Sequence, residues 1–244
     1  MKRPRRWLLI VGAPLAALTF LTCIRQLARS RTVQLAGRLV AEAHPRDSLV
    51  ALTFDDGPVA ALVDSLVDVL RTHGARATFF VTGRELAESP AAGEKLVAAG
   101  QELGNHSYSH RRLVLVSARQ VREEIEHTDS LLRAVGQRGP IWFRPPYGYK
   151  LVGLPRYLAA HQRTTVMWSV EPDSYAEVAA TPEGIVRHVL ERVRPGSIIL
   201  LHPWYSSRRT SRAAIGPLVD SLHAHGYRIV SVGQLLASAG HSAH

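Results

Sequence analysis

Val50-Ala51-Leu52-Thr53-Phe54-Asp55-Asp56-Gly57-Pro58 is an apolar, β-prone run that stops on two adjacent carboxylates. A strand ending this way carries Asp55 and Asp56 at its C-terminal tip, and Gly57-Pro58 turns the chain into the next element. Two neighbouring acids are costly when both are charged and buried. A bound cation relieves that cost and leaves one acid free to act as a base. The bland alternative is a solvated Asp-Asp turn, and the segments around it must distinguish the two.

Downstream, strand and helix patterns alternate. Leu49–Phe54 reads as the first strand. Apolar residues at 59, 62, 63, 66, 69 and 70 then give a helical period over Val59–Arg71. Ala77–Val81 is the second strand, Glu85–Ala99 a helix interrupted near Pro90, and Gln101–Gly104 the third strand. Ser117 and Gln120 form a capping box that opens a helix to about Val135. Ile141–Phe143, Thr164–Trp168, Ser197–Leu201 and Tyr227–Val232 read as the remaining strands, and Thr181 caps a helix with Pro182 at its first position. Strands alternating with helices predict an α/β domain, here a distorted (β/α) barrel of about seven parallel strands. The polar residues favour a barrel over an open sheet. Asp55-Asp56, His106, Arg144, the Glu171–Asp173 segment and His202 all follow strand C-termini, the active face of a barrel. No G-x-G-x-x-G or phosphate loop follows the first strand, so nucleotide binding lacks support.

The chain of 244 residues is 46% hydrophobic and 20% charged, enough for one sizeable core. Of its net charge of +10, +7 lies in residues 1–31, which hold seven basic residues and no acid. The remaining +3 argues against a nucleic-acid partner. Between those charges Trp7–Ile24 is an apolar run of eighteen residues, long enough to span a bilayer, with Pro14 inside it. Four basic residues precede it and three follow, so an uncleaved single-pass anchor with its N-terminus inside is expected. That puts the protein in the cell membrane with the globular part facing outside; a cleaved signal peptide and secretion is the alternative. The expected plan is an anchor over 1–31, a connector over 32–48 with a helix-compatible run at Gln34–Ala43, and one domain over 49–240, acting as a monomer. Cys23 is the only cysteine, which excludes an intrachain disulfide and thiol chemistry in the globular part.

His106 and His110 are spaced i, i+4; in a helical turn both rings face one way, which suits two ligands of one metal. With twelve histidines in the chain, two surface residues in a loop are the alternative. Asp56 adds a carboxylate. One carboxylate and two imidazoles make a three-ligand site with open positions, suited to zinc hydrolysis and also to iron(II) oxygen chemistry.

T-F-D-D-G-P (53–58), H-S-Y-S-H (106–110), R-P-P-Y-G (144–148) and L-L-H (200–202), in this order and spacing, resemble the motifs of the polysaccharide deacetylase family, the NodB-homology domain of carbohydrate esterase family 4 type. A-T-F-F-V-T-G (77–83) and I-V-S-V-G-Q-L-L (229–236) also look like the family, so the resemblance covers roughly residues 49–237. It implies Asp55 as general base and Asp56, His106 and His110 as ligands of one divalent metal, most often zinc. It further implies that Arg144 orients Asp55, that the Tyr147 backbone N–H binds the oxyanion, that His202 is the general acid, and that Leu201 lines the acetyl pocket. The family usually offers a carboxylate followed by tryptophan near the fifth strand. Here the text is W-S-V-E-P-D-S-Y (168–175), a departure. Asp173 is read as the partner of His202, with Glu171 as the alternative and Tyr175 standing in for the aromatic. After His202, Trp204 offers an aromatic face to a sugar or packs on the rim. The implied activity is metal-dependent removal of N-acetyl groups from a polysaccharide, an envelope glycan such as peptidoglycan or a chitin-like oligosaccharide. An O-acetyl esterase and a non-catalytic glycan-binding protein are the rivals. An iron(II) oxygenase would leave Asp55, Arg144 and His202 unexplained.

Overall fold

Both faces of residues 49–55 are buried. Val50, Leu52 and Phe54 join one apolar cluster, and Leu49 and Ala51 join another. A strand covered on both faces belongs in a parallel sheet with helices packed outside it. The computed structural model describes the backbone of residues 5–240 and the side chains from residue 14 onward. Its elements run, in order, α1 (Arg5–Arg29), β1 (Arg38–Val40), β2 (Leu49–Asp55), α2 (Ala60–Thr72), β3 (Thr78–Val81), α3 (Gly83–Glu88), α4 (Pro90–Ala98), β4 (Glu102–Asn105), α5 (Ala118–Ala134), α6 (Gly153–Ala160), β5 (Thr164–Val166), α7 (Pro182–Leu190), β6 (Ile198–Leu201), α8 (Arg209–Ala224), β7 (Arg228–Val230) and α9 (Val232–Ser238).

All the strand ladders are parallel. β4, β3, β2 and β6 are successive neighbours, β7 pairs with the first half of β2, and β1 pairs with β5. Single bridges carry the pairing from Asn105 to Phe143, from Phe143 to Thr165, and from Val170 to Ile199. The segment from β5 to Val170 thus meets β4 through Phe143 on one side and β6 on the other. Outside it, α2, α7 and α8 bury Val63, Leu66, Leu70, Ile185, Val189 and Leu218 against the outward residues of β2, β3 and β6. The capping boxes at Ser117 and Ser231 and the Thr181 cap start α5, α9 and α7.

Three sequence expectations need correction. Ile141–Phe143 is one bridging residue rather than a strand, because Pro140, Pro145 and Pro146 cannot donate to a ladder. The fifth strand ends at Val166 rather than at Trp168. The stretch 32–48 is not merely a connector with a helical run: it contains β1, in register with β5. Gly37, at φ 73° and with Ala159 Cβ 3.0 Å from where its own Cβ would stand, breaks any helix there.

The end of α1 is fastened to the domain. Ala28 is buried and its carbonyl accepts from Lys150 N at 2.8 Å. The buried Lys150 side chain donates to Ser30 O, and Arg31 Nη2 donates to Glu171 Oε2 at 2.5 Å. Among the described residues no helix is long and apolar enough to cross a membrane. Part of the expected span, residues 7–13, lies outside the residues whose side chains are described.

Candidate active site

Asp55 closes β2 with its side chain on the inner face, the same face as Thr53 two residues earlier. Arg144, fully buried, reaches both: Nη1 donates to Asp55 Oδ1 at 2.7 Å and to Thr53 Oγ1 at 2.9 Å. Its other nitrogens donate to Val166 O and Met167 O, and the Phe80 ring lies 4.0 Å from its guanidinium carbon. Burial alone would raise the Asp55 carboxyl; the Arg144 charge, with that of His202 and the Arg144 hydrogen bond, outweighs it and holds the group below the usual carboxylate range. Asp55 is thus an ionised, oriented and buried acceptor at the cleft wall.

Asp56 lies just past the strand in the left-handed region, φ 73°, which turns its carboxylate away from Arg144 and toward His110. Its Oδ1 stands 3.2 Å from His110 Nε2 and 3.8 Å from His106 Nε2. One ligand atom from each of Asp56, His106 and His110 fits within 4.8 Å of the others. The two histidines do not share a helical turn as the spacing suggested. They bracket a tight loop with positive φ at Ser107 and at His110 itself. Glu124 of α5, unnoticed in the sequence, fixes that loop by accepting from the Tyr108 and Ser109 amides and the Ser109 hydroxyl. Its signal was an acid on the apolar face of α5, between Val121 and Ile125. His106 Nδ1 lies 2.8 Å from Arg144 O, a carbonyl, so Nδ1 carries the proton and Nε2 presents its lone pair to the centre. Burial, the largest effect on it, pushes His110 down to about 4, leaving it a neutral ligand. The donor types, tautomer and mutual reach all fit one divalent cation.

His202 follows β6 and shares this cleft of about 460 Å³. Asp173, buried, places Oδ1 3.1 Å from His202 Nδ1, while Oδ2 accepts from the His202 amide at 2.7 Å and from Ser211 at 2.9 Å. Burial alone would lower His202, but the Asp173 bond and charge raise it to about 9. Glu171 does not reach it, being engaged by Arg31, Trp168 Nε1 and Ser174. The cleft therefore combines a carboxylate able to accept a proton, an imidazolium able to give one, and a three-donor cation site.

A family model described as polysaccharide deacetylase matches residues 42–166. The chain belongs to the polysaccharide deacetylase family. A peptidoglycan-N-acetylglucosamine deacetylase of Bacillus cereus is 30% identical over 200 residues, covering 82% of this chain and 93% of that protein. Peptidoglycan-N-acetylmuramic acid deacetylase PdaC of Bacillus subtilis is 32% identical over 192 residues, which cover 78% of this chain but only 39% of PdaC. The solved structure of the Bc1960 peptidoglycan N-acetylglucosamine deacetylase superposes with a TM-score of 0.76 at 28% identity, covering 84% of this chain and 94% of that one.

In this chain Tyr147 sits at φ 57° on the cleft wall, its ring 4.6 Å from that of His110. Its amide has no acceptor among the described residues, whereas the next two amides bond back to Pro145 and Pro146. Tyr175 is 45% exposed and lines the cleft. Two expectations fail. Leu201 faces the helix layer with Leu52 and Phe54, and it is Leu200, one residue earlier and on the inner face, that lines the cleft. Trp204 is no sugar platform: it is 2% exposed and packs 5.8 Å from Phe79 in the core, over Gly57. The sequence reading also missed Arg29 and Arg31, which line the cleft from the segment ahead of the domain.

Proposed function

We propose that this protein hydrolyses the N-acetyl amides of an envelope glycan, with peptidoglycan as the preferred substrate and one divalent metal, zinc by donor type, as cofactor. The observation that carries this reading is Asp55, held ionised by Arg144, in one cleft with the Asp56, His106 and His110 donors and with the Asp173-backed His202. The peptidoglycan activities named for the Bacillus relatives support the amide substrate.

Asp56, His106 and His110 would hold the cation, which supplies Lewis acidity toward the acetyl carbonyl and toward water. Asp55 takes a proton from the attacking water; its low pKa keeps it in the accepting form at neutral pH. The oxygen–carbon bond forms as charge builds on the carbonyl oxygen. The free Tyr147 amide would stabilise that charge, a donor of this kind being worth about 3 kcal/mol. His202, protonated at neutral pH, gives its Nε2 proton to the leaving nitrogen as the carbon–nitrogen bond breaks. Asp173, at Nδ1, fixes the tautomer that makes Nε2 the donor. The products are acetate and a free amine.

We also read α1 as a single-pass anchor with the domain outside. The apolar run Trp7–Ile24 between basic flanks supports this, as do Leu15, Leu18, Phe20 and Leu21, each 62–64% exposed and uncovered by the domain.

The test is acetate release by the full chain from peptidoglycan, chitooligosaccharide and acetylated xylan, with and without chelator. Chelator-sensitive release from the first two is expected. Release from xylan alone would make the protein an esterase. No release, with one equivalent of metal bound, would make it a glycan-binding protein.

A further inference from the structure

We propose that Arg29 and Arg112 form a carboxylate-recognising arm at the cleft mouth, half of it supplied by the segment ahead of the domain, that favours acidic glycan over neutral glycan. This rests on the deacetylase reading above. The segment is built in rather than trailing: Ala28 is buried, Lys150 holds it through Ala28 O and Ser30 O, and Arg31 is tied to Glu171. Arg29 and Arg31 therefore line the same cleft as Asp55 and His110.

The cations around that cleft are not equivalent. Arg144 is matched by Asp55, Arg31 by Glu171, and Arg208 Nη1 donates to Asp173 O. Among the described residues Arg29 and Arg112 meet no carboxylate. Instead both guanidinium carbons lie over the Tyr149 ring, 5.4 and 5.0 Å from its centroid, and Arg112 also lies 5.0 Å from the centroid of Tyr147. Tyr147 in turn touches His110, so this pair stands at the edge of the reacting centre. Stacking on aromatic faces orients planar guanidiniums and leaves their N–H edges free. Two unneutralised like charges held by one ring both gain from an anion brought close to them, and a carboxylate fits the fork geometry of a guanidinium. The acids nearby are already committed: Glu171 accepts from three partners, and Asp55 and Asp56 belong to the reaction. Solvated, idle arginines are the alternative, and they would show no preference among substrates.

The full chain would be assayed for acetate release from three soluble glycans: neutral chitooligosaccharides, peptide-free strands bearing lactyl carboxylates, and strands bearing peptides with their own carboxylates. In R29Q/R112Q the ratio of kcat/KM for the acidic over the neutral substrate should fall about tenfold, chiefly through KM. High salt should shrink the wild-type preference in the same way. R29K/R112K keeps the charge and should keep most of the ratio. Whichever acidic arm loses more identifies the carboxylate source. An unchanged ratio in R29Q/R112Q, or an equal loss in R29K/R112K, overturns the proposal, the latter because packing on Tyr149 and not charge would be at work. A wild type that releases acetate from none of the three overturns the deacetylase reading itself, and this inference with it.

Discussion

Asp173 and His202 form the pair whose behaviour is most directly measurable. The His202 pKa is raised to about 9 by a carboxylate that only the folded chain places beside it. A raised histidine contributes its full stabilisation below the unfolded value of 6.5 and loses it as pH rises through about 9. Activity that needs the imidazolium follows the same sign: kcat/KM should fall above about pH 9. Asp173→Asn should move that alkaline limb down from about 9, because it removes the carboxylate that does most to oppose burial and leaves only the charges of Asp55 and Asp56 to raise the group. A pH–rate profile of the two proteins checks it, and an unmoved limb would mean that another group titrates. Single residues were the most legible part of the sequence. Acids and histidines carry their chemistry in their identity, and the choice of Asp173 over Glu171 agrees with the hydrogen bonds found. Leu201 and Trp204 misled because their role depends on which way an apolar side chain points. At the end of a doubly buried strand, apolar text is the same on both faces.

Among elements, the loop between β4 and α5 deserves the next experiments. Glu124 touches no candidate ligand atom, yet it ties down the amides between His106 and His110. Glu124→Ala should weaken metal affinity about 10–100-fold, as loss of an outer partner does. Metal titration would show a higher requirement, with activity recovered at saturation; a loss that excess metal does not repair would point to misfolding. The turn after β2 is equally constrained. Gly57 has φ 66°, and a Cβ there would stand 2.5 Å from the Trp204 ring. Gly57→Ala should cost about 1–3 kcal/mol by overpacking, with more from the backbone strain, read as a lower denaturation midpoint. Strands and capped helices were legible because periodicity, capping boxes and Pro90 are local signals. Others were not. β1 exists only because β5 offers it an edge, and the histidine loop imitates helical spacing while being held by a distant helix.

For the molecule as a whole, metal and fold are linked. A cation bound only by the folded chain adds about 2.7 kcal/mol at a hundredfold excess over its Kd. Chelator should therefore lower the melting temperature as well as abolish acetate release, and zinc should restore both. A melting curve indifferent to chelator would argue that the three donors hold no ion. The parallel pairing followed from the alternation of strands and helices, whereas the attachment of residues 28–31 to the cleft wall did not, since those arginines looked like topology signals alone. With α1 as a membrane anchor, that attachment would limit how far the cleft can reach. On the anchor reading, Ile24 ends the apolar run and Arg29 already faces the cleft, five helical residues later, a rise of about 8 Å. With such an anchor there would be no leash: the reacting centre would ride close above the lipid headgroups and sweep a thin plane parallel to them. Glycan newly laid down at the membrane would be trimmed as it passes through that plane, and older material farther out would keep its acetyl groups.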